Sequence, residues 1–106
     1  MKYIQTLLAD TLENETRELI LVGEQRDRVK SALYLQVEDA DSLTILVKGK
    51  ISQTANETVL ATVDLAEFSK KLAIDANGMY MLLSEELYSV VLVVTGSAMI
   101  TVKSVE

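Results

Sequence analysis

Leu43-Thr44-Ile45-Leu46-Val47-Lys48-Gly49-Lys50-Ile51 is the stretch whose reading decides the fold class. Leu43, Ile45, Val47 and Ile51 alternate with Thr44, Leu46, Lys48 and Lys50. Successive side chains of an extended chain point to opposite faces, so this period of two describes a strand with one face on a core. Gly49 falls in the inward series, where a bulge or a close backbone approach is expected. Working upstream, Leu33, Leu35 and Val37 alternate with Ala32, Tyr34, Gln36 and Glu38 in the same way. Asp39-Ala40-Asp41 between the two segments reads as a turn, because Asp side chains bond their own backbone locally. Further upstream, Tyr3 to Leu8 opens the chain as a strand, and Glu18 to Val22 forms another that ends at Gly23.

Downstream, Thr58 to Val63 is rich in β-branched residues, which fit a pleated surface. Asn77-Gly78 supplies a tight turn before a strand over Met79 to Leu83. Tyr88 to Thr95 and Ala98 to Val105 flank Gly96-Ser97, which reads as a two-residue hairpin turn. Asp64 to Lys71 has Leu65 and Phe68 at helical spacing but is too short for a stable helix, and with Ser84-Glu85-Glu86 it reads as a loop holding at most one helical turn. Turn signals recur about every ten residues, which favours a sandwich or barrel. The expectation is a single all-β domain over residues 1–106, an antiparallel β-sandwich, jelly-roll-like or immunoglobulin-like. With no proline anywhere, edge protection falls to charges and short strands.

Composition narrows the chemistry. The chain has 106 residues, 49% of them apolar, enough for one modest core. The apolar run Val90 to Val94 suits a buried strand, and no stretch approaches the ~20 apolar residues of a membrane helix. Met1 to Leu8 does not read as a signal peptide. Sixteen carboxylates against ten basic groups give a net charge of −6. Nucleic-acid binders need a positive footprint, and anionic membranes attract basic segments, so neither is expected as a partner. The most basic stretch, Arg26 to Lys30, is interrupted by Asp27. There is no cysteine and no histidine. Disulfides, thiolate nucleophiles, cysteine-bound zinc and both Ser-His-Asp and Cys-His mechanisms are therefore missing from the inventory. No cofactor and no enzymatic activity are expected.

The remaining candidate motifs have ordinary readings. Glu38, Asp39 and Asp41 could offer oxygens to calcium, but a polar turn explains them, and Glu85-Glu86 reads as a solvated loop. A carboxylate pair could serve a glycosidase. Asn14-Glu15-Thr16 and Asn56-Glu57-Thr58 are glycosylation sequons that read as turns. The glycines at 23, 49, 78 and 96 stand alone, so no phosphate-binding loop is present. A sugar platform would want exposed aromatic rings. There is no tryptophan, and Tyr3, Tyr34, Tyr80 and Tyr88 lie in strands where packing in the core or at its rim is expected.

The informative feature is an apolar surplus. Tyr88, Val90, Leu92 and Val94 share one strand face, while Ser89, Val91, Val93 and Thr95 share the other. A strand that faces water on one side should be polar there. Val91 and Val93 break that rule, and Leu46 breaks it in its own strand. Either another subunit or a loop of this chain covers them. Met79 and Met81 share a face, and methionine suits adaptable contact surfaces. Leu46, Val91 and Val93 are the candidate interface.

The order of the segments resembles that of small tailed-phage structural proteins. Tyr3-Ile4-Gln5-Thr6-Leu7-Leu8, a polar stretch and the Glu18 to Val22 strand match the family's opening. Leu43 to Ile51, Leu60-Ala61-Thr62-Val63-Asp64-Leu65, Ala76-Asn77-Gly78-Met79-Tyr80, Val94-Thr95 and Ile100-Thr101-Val102-Lys103 follow in the family's order. Gly49 to Gln53 lacks the family's Asp-Gly turn and the tryptophan that often follows it, and Val91 and Val93 stand at usually polar positions. The resemblance implies a head decoration, head fibre or tail accessory protein of the virion, made in the bacterial host cytoplasm. Its implied partners are capsid or tail proteins and further copies of itself, trimers included. A carbohydrate- or cell-surface-binding sandwich is the alternative, and a carboxylate hydrolase a third.

Overall fold

The computed structural model describes residues 4–22 and 31–105. Gly23 and the basic stretch Arg26 to Lys30 lie outside them. The described chain is all-β and antiparallel. In chain order the strands are β1 (Ile4–Glu13), β2 (Thr16–Ile20), β3 (Ala32–Lys50), β4 (Thr58–Val59), β5 (Thr62–Asp64), β6 (Ser69–Lys71), β7 (Gly78–Leu83) and β8 (Ser89–Val105). Along the sheet they run β1-β8-β3-β7-β5-β6, with β2 also on β8 and β4 also on β3.

The architecture is a three-stranded ribbon folded at its waist. β8 pairs with β3 along nearly its whole length, from Ala32↔Val105 to Lys50↔Ser89. On its other side β8 carries β1 over Ser97 to Val105 and β2 over Ser89 to Val93. One half of the ribbon is extended by β7, β5 and β6, and the other is closed by β4. The inward series is unbroken through the fold: Leu33, Leu35, Val37, Leu43, Ile45 and Val47 on β3, and Val90, Leu92, Val94, Ala98, Ile100 and Val102 on β8. These residues join Leu8, Leu12, Leu19, Leu21, Tyr80 and Leu82 in one hydrophobic cluster. The two halves therefore face each other across a shared core, the sandwich-like arrangement expected from the spacing of the turn signals.

Two expected reversals are corrected. Asp39-Ala40-Asp41 and Gly96-Ser97 do not end strands; each kinks one long strand. At the waist Asn14 (φ 45°), Asp39 (φ 55°), Ser42 (φ 49°) and Gly96 (φ 82°) all have left-handed backbones. The β3–β8 register shifts on either side of the Asp41↔Ser97 pair, so both strands bend together without separating. Asparagines brace the bend. Asn14 N–H donates to the Gly96 carbonyl at 3.0 Å, and Gly96 N–H donates to Asn14 Oδ1 at 2.9 Å. Ala40 N–H donates to Asn77 Oδ1 at 2.9 Å. Turn chemistry is present as the residues suggest, but here it folds a sheet instead of reversing a chain.

Two smaller readings also change. Thr58 to Val63 is not one strand. The chain leaves β3 at Val59 and crosses at Leu60-Ala61 to join β7 as β5, so the segment serves both halves. Asp64 to Lys71 is the tight β5–β6 hairpin, in which Asp64 Oδ1 accepts from Ala66 N–H at 2.9 Å. Gly49 forms no bulge, because its pairing with Val90 and Thr58 is regular; its neighbours are side chains, and a Cβ there would press on Leu60 Cδ1 at 2.6 Å.

Gly96 cannot be replaced cheaply. A side chain would meet the Ser42 carbonyl oxygen directly, on a backbone that L-residues avoid. Gly96→Val is expected to cost about 3 kcal/mol or more, read as a lower urea midpoint. Phe68 poses the opposite case. It holds φ 55° at the hairpin tip and is 82% exposed, so its ring adds strain and little burial. Phe68→Gly is expected to raise stability by about 1 kcal/mol in the same assay.

Candidate functional site

The fold places the three candidate interface residues on one outward surface. Leu46 and Val93 are direct cross-strand partners on β3 and β8, and Val91 lies two residues along the same face of β8. Direct partners of this kind have adjacent side chains. Leu46 and Val93 are half-buried, but Val91 is 2% exposed. Its flanks explain the difference. Glu18 and Lys48 are its partners on either side. Glu18 Oε2 accepts from Ser89 Oγ at 2.7 Å and lies 3.6 Å from Lys50 Nζ. Lys48 reaches toward Glu57 at 4.0 Å. This polar lattice covers Val91 with groups of the same chain. Long basic side chains bury their stems on apolar surface in this way. Leu46 and Val93 are left as the accessible part.

The other half of the ribbon carries a second, wider apolar face. Register aligns Ile4, Val105, Ala32 and Leu83 in one row across β1, β8, β3 and β7. Ile4 is 58% and Leu83 75% exposed. The next row is Lys103, Tyr34, Met81, Val63 and Lys70. Met79 and Met81 therefore share the outward face of β7, as their spacing requires. Two hollows open beside this second row. One of about 270 Å³ is lined by Leu60, Ala61, Val63, Lys70, Met81, Leu82 and Leu83. The other, of about 160 Å³, is lined by Tyr34, Gln36, Met79, Thr101 and Lys103. The sequence signalled Met79 and Met81 but not the assembly around them, because the register that aligns five strands is a tertiary property.

Charge is concentrated elsewhere. Asp10 and Arg17 occupy inward positions of β1 and β2, opposite the core residues Ile100 and Leu92. Arg17 Nη2 lies 3.3 Å from Glu15 Oε2 and 3.9 Å from Asp10 Oδ2, linking the edges of the two halves. Inward charge on an edge strand discourages further sheet addition. Among the described residues, no group of three or more acidic side chains is placed to hold a metal ion. Glu38, Asp39 and Asp41 lie on β3 at the waist. Among the described residues, Tyr80 has a displaced titration. Burial pushes its pKa above the ordinary 10.0, and the nearby carboxylates Asp64, Asp75 and Glu67 push in the same direction. Its hydroxyl donates to the Ala76 carbonyl at 2.8 Å.

Two solved structures share this fold over the whole chain. The SPBc2 prophage-derived protein YomS matches with a TM-score of 0.71 and 17% identity, over 100% of this chain and 94% of its own. The PBSX exported protein XepA matches with a TM-score of 0.71 and 10% identity, over 100% of this chain and 38% of its own. The fold is thus that of a prophage-derived protein and of a portion of a longer exported one; this chain spans little more than a third of XepA. No family model and no curated protein matches the sequence.

The Tyr80 environment gives a pH prediction. A raised folded-state pKa means the native state holds its phenolic proton more tightly than the unfolded chain does. That stability is fully present below pH 10 and is lost as pH rises through the folded-state value. Tyr80→Phe is expected to lower stability near neutral pH by about 1 kcal/mol through the lost hydrogen bond. It is also expected to flatten the decline above pH 10, measured as urea midpoints across alkaline pH.

Proposed function

We propose that this chain is a non-enzymatic phage or prophage structural protein that assembles through its outward sheet faces, with other virion proteins and with further copies of itself. The observation that carries this reading is the apolar character of both faces in an acidic chain. Leu46 sits opposite Val93 on one half, and Ile4, Val105, Ala32 and Leu83 line up on the other. A sheet face left to water is normally polar, and contiguous apolar surface marks places where proteins meet. The fold shared with a prophage-derived protein supports the phage assignment, as does the order of segments resembling small virion proteins. Head decoration, head fibre and tail accessory roles all suit a small sandwich with two sticky faces. The virion is the corresponding location, with the host cytoplasm as the place of synthesis.

The test is assembly. Multi-angle light scattering at micromolar concentration should report a stable oligomer. Leu46→Lys with Val93→Lys should lower the assembled fraction while leaving the β circular-dichroism signal intact. Leu83→Lys does the same for the other face and tells which one mediates self-contact. Val91 is unsuitable for this purpose, because it is buried within its own chain and a lysine there would disturb the fold as well as the face. A strictly monomeric protein that co-purifies with no virion component would overturn the reading.

A further inference from the structure

We infer that Phe68, at the tip of the β5–β6 hairpin, anchors the contact between copies, and that its ring seats in the apolar hollow beside Val63, Met81 and Leu83 of a second copy of this chain. The inference rests on the assembly reading above and names the residues that make the contact.

Phe68 gives little to its own chain. It is 82% exposed, so its ring buries almost no surface in the fold. Its backbone sits at φ 55°, where a bulky residue is an outlier and glycine would be relaxed. Its N–H donates to the Asp64 carbonyl at 2.7 Å and closes the turn, a bond that a glycine would make equally well. A strained position kept at a cost to the fold points to a role in binding. An aromatic ring suits that role, because it brings a large apolar surface with few rotatable bonds.

The hollow is built to take such a ring. Its volume of about 270 Å³ has room for one aromatic side chain. Six of its seven lining residues are apolar, and the seventh is Lys70.

Charge selects the occupant. The hairpin is divided, with Asp64 and Glu67 at the turn and Lys70 and Lys71 on the returning strand. Ser69 Oγ donates to Glu67 Oε2 at 3.4 Å, which holds the carboxylate at the tip beside Phe68. A Phe68 that enters the hollow of another copy brings its Glu67 toward that copy's exposed Lys70. The chain has a net charge of −6, so two copies repel unless an acid meets a base where they touch. Acidic tip and basic hollow lie on one hairpin, so every copy offers both halves of the contact.

The experiment follows the full chain by sedimentation velocity across the micromolar range. Phe68→Ala should weaken self-association about thirtyfold or more, while its urea midpoint holds or rises. Ala61→Trp, which fills the hollow from an exposed position, should block association with the circular-dichroism spectrum unchanged. Glu67→Lys and Lys70→Glu should each associate poorly alone, and their equimolar mixture should recover association. Within either variant the two positions carry like charge, so recovery on mixing reports a contact between copies. An oligomer that survives Phe68→Ala, or charge variants that mixing does not rescue, overturns the Phe68 contact and leaves assembly through the sheet faces standing. A chain that stays monomeric yet binds a virion protein overturns the self-contact alone. One that stays monomeric and binds none overturns both readings.

Discussion

The fold depends on a concerted bend of three paired strands. A long antiparallel ribbon has two faces, and neither can form a closed core alone. Folding it at the waist turns the inward series of both halves toward each other. Each aliphatic side chain then buried contributes about 1.5–3 kcal/mol. The bend works only if hydrogen bonding continues through it, since unpaired backbone groups in the interior are costly. Continuity is what Asn14, Asn77 and the left-handed residues provide. Val94 N–H donates to the Glu15 carbonyl at 2.8 Å, so the ladder between β8 and the β1–β2 segment passes through the waist without a gap.

This explains where sequence reasoning reached and where it stopped. Alternation gives the inward residues Leu33 to Val47 of β3 and Val90, Leu92 and Val94 of β8, but it also puts Ile51 in the inward series, and Ile51 lies past the end of β3 and is exposed. What alternation alone did not separate was a hairpin from a corner. For β3 the two give the same answer, because a reversal around Ala40 would place Leu43 opposite Val37 and Ile45 opposite Leu35, core against core. For β8 they differ. A two-residue hairpin at Gly96-Ser97 would set Val94 against Met99, Leu92 against Thr101 and Val90 against Lys103. The even-numbered series Val90 to Val102 stays apolar only if the strand runs straight on. That signal was in the residues, but only a comparison of face parity across the glycine exposes it.

The surfaces divide in the same way. Leu46 and Val93 were legible because they violate the alternation of their strands. Val91 violates it equally, but its cover is a cross-strand arrangement of Glu18, Lys50 and Ser89, drawn from segments far apart in the chain. The Tyr34 hollow left no local signature. Its residues sit singly in unremarkable strands, and only register brings them side by side. Sheet faces are tertiary objects: one strand predicts which residues point outward but not who their neighbours are.

The position of β8 has a consequence for biosynthesis. It is the last of the described strands to leave the ribosome, yet it lies between β1, β2 and β3 and touches all of them. Before Ser89 to Val105 emerges, the earlier strands lack the centrepiece on which they pair, and their apolar residues stay open to water. Contacts as distant as Ile4 with Val105 also slow the search for the native state. A nascent chain of this kind folds late and in one step, and its vulnerable interval is the time during translation when its centre is still missing.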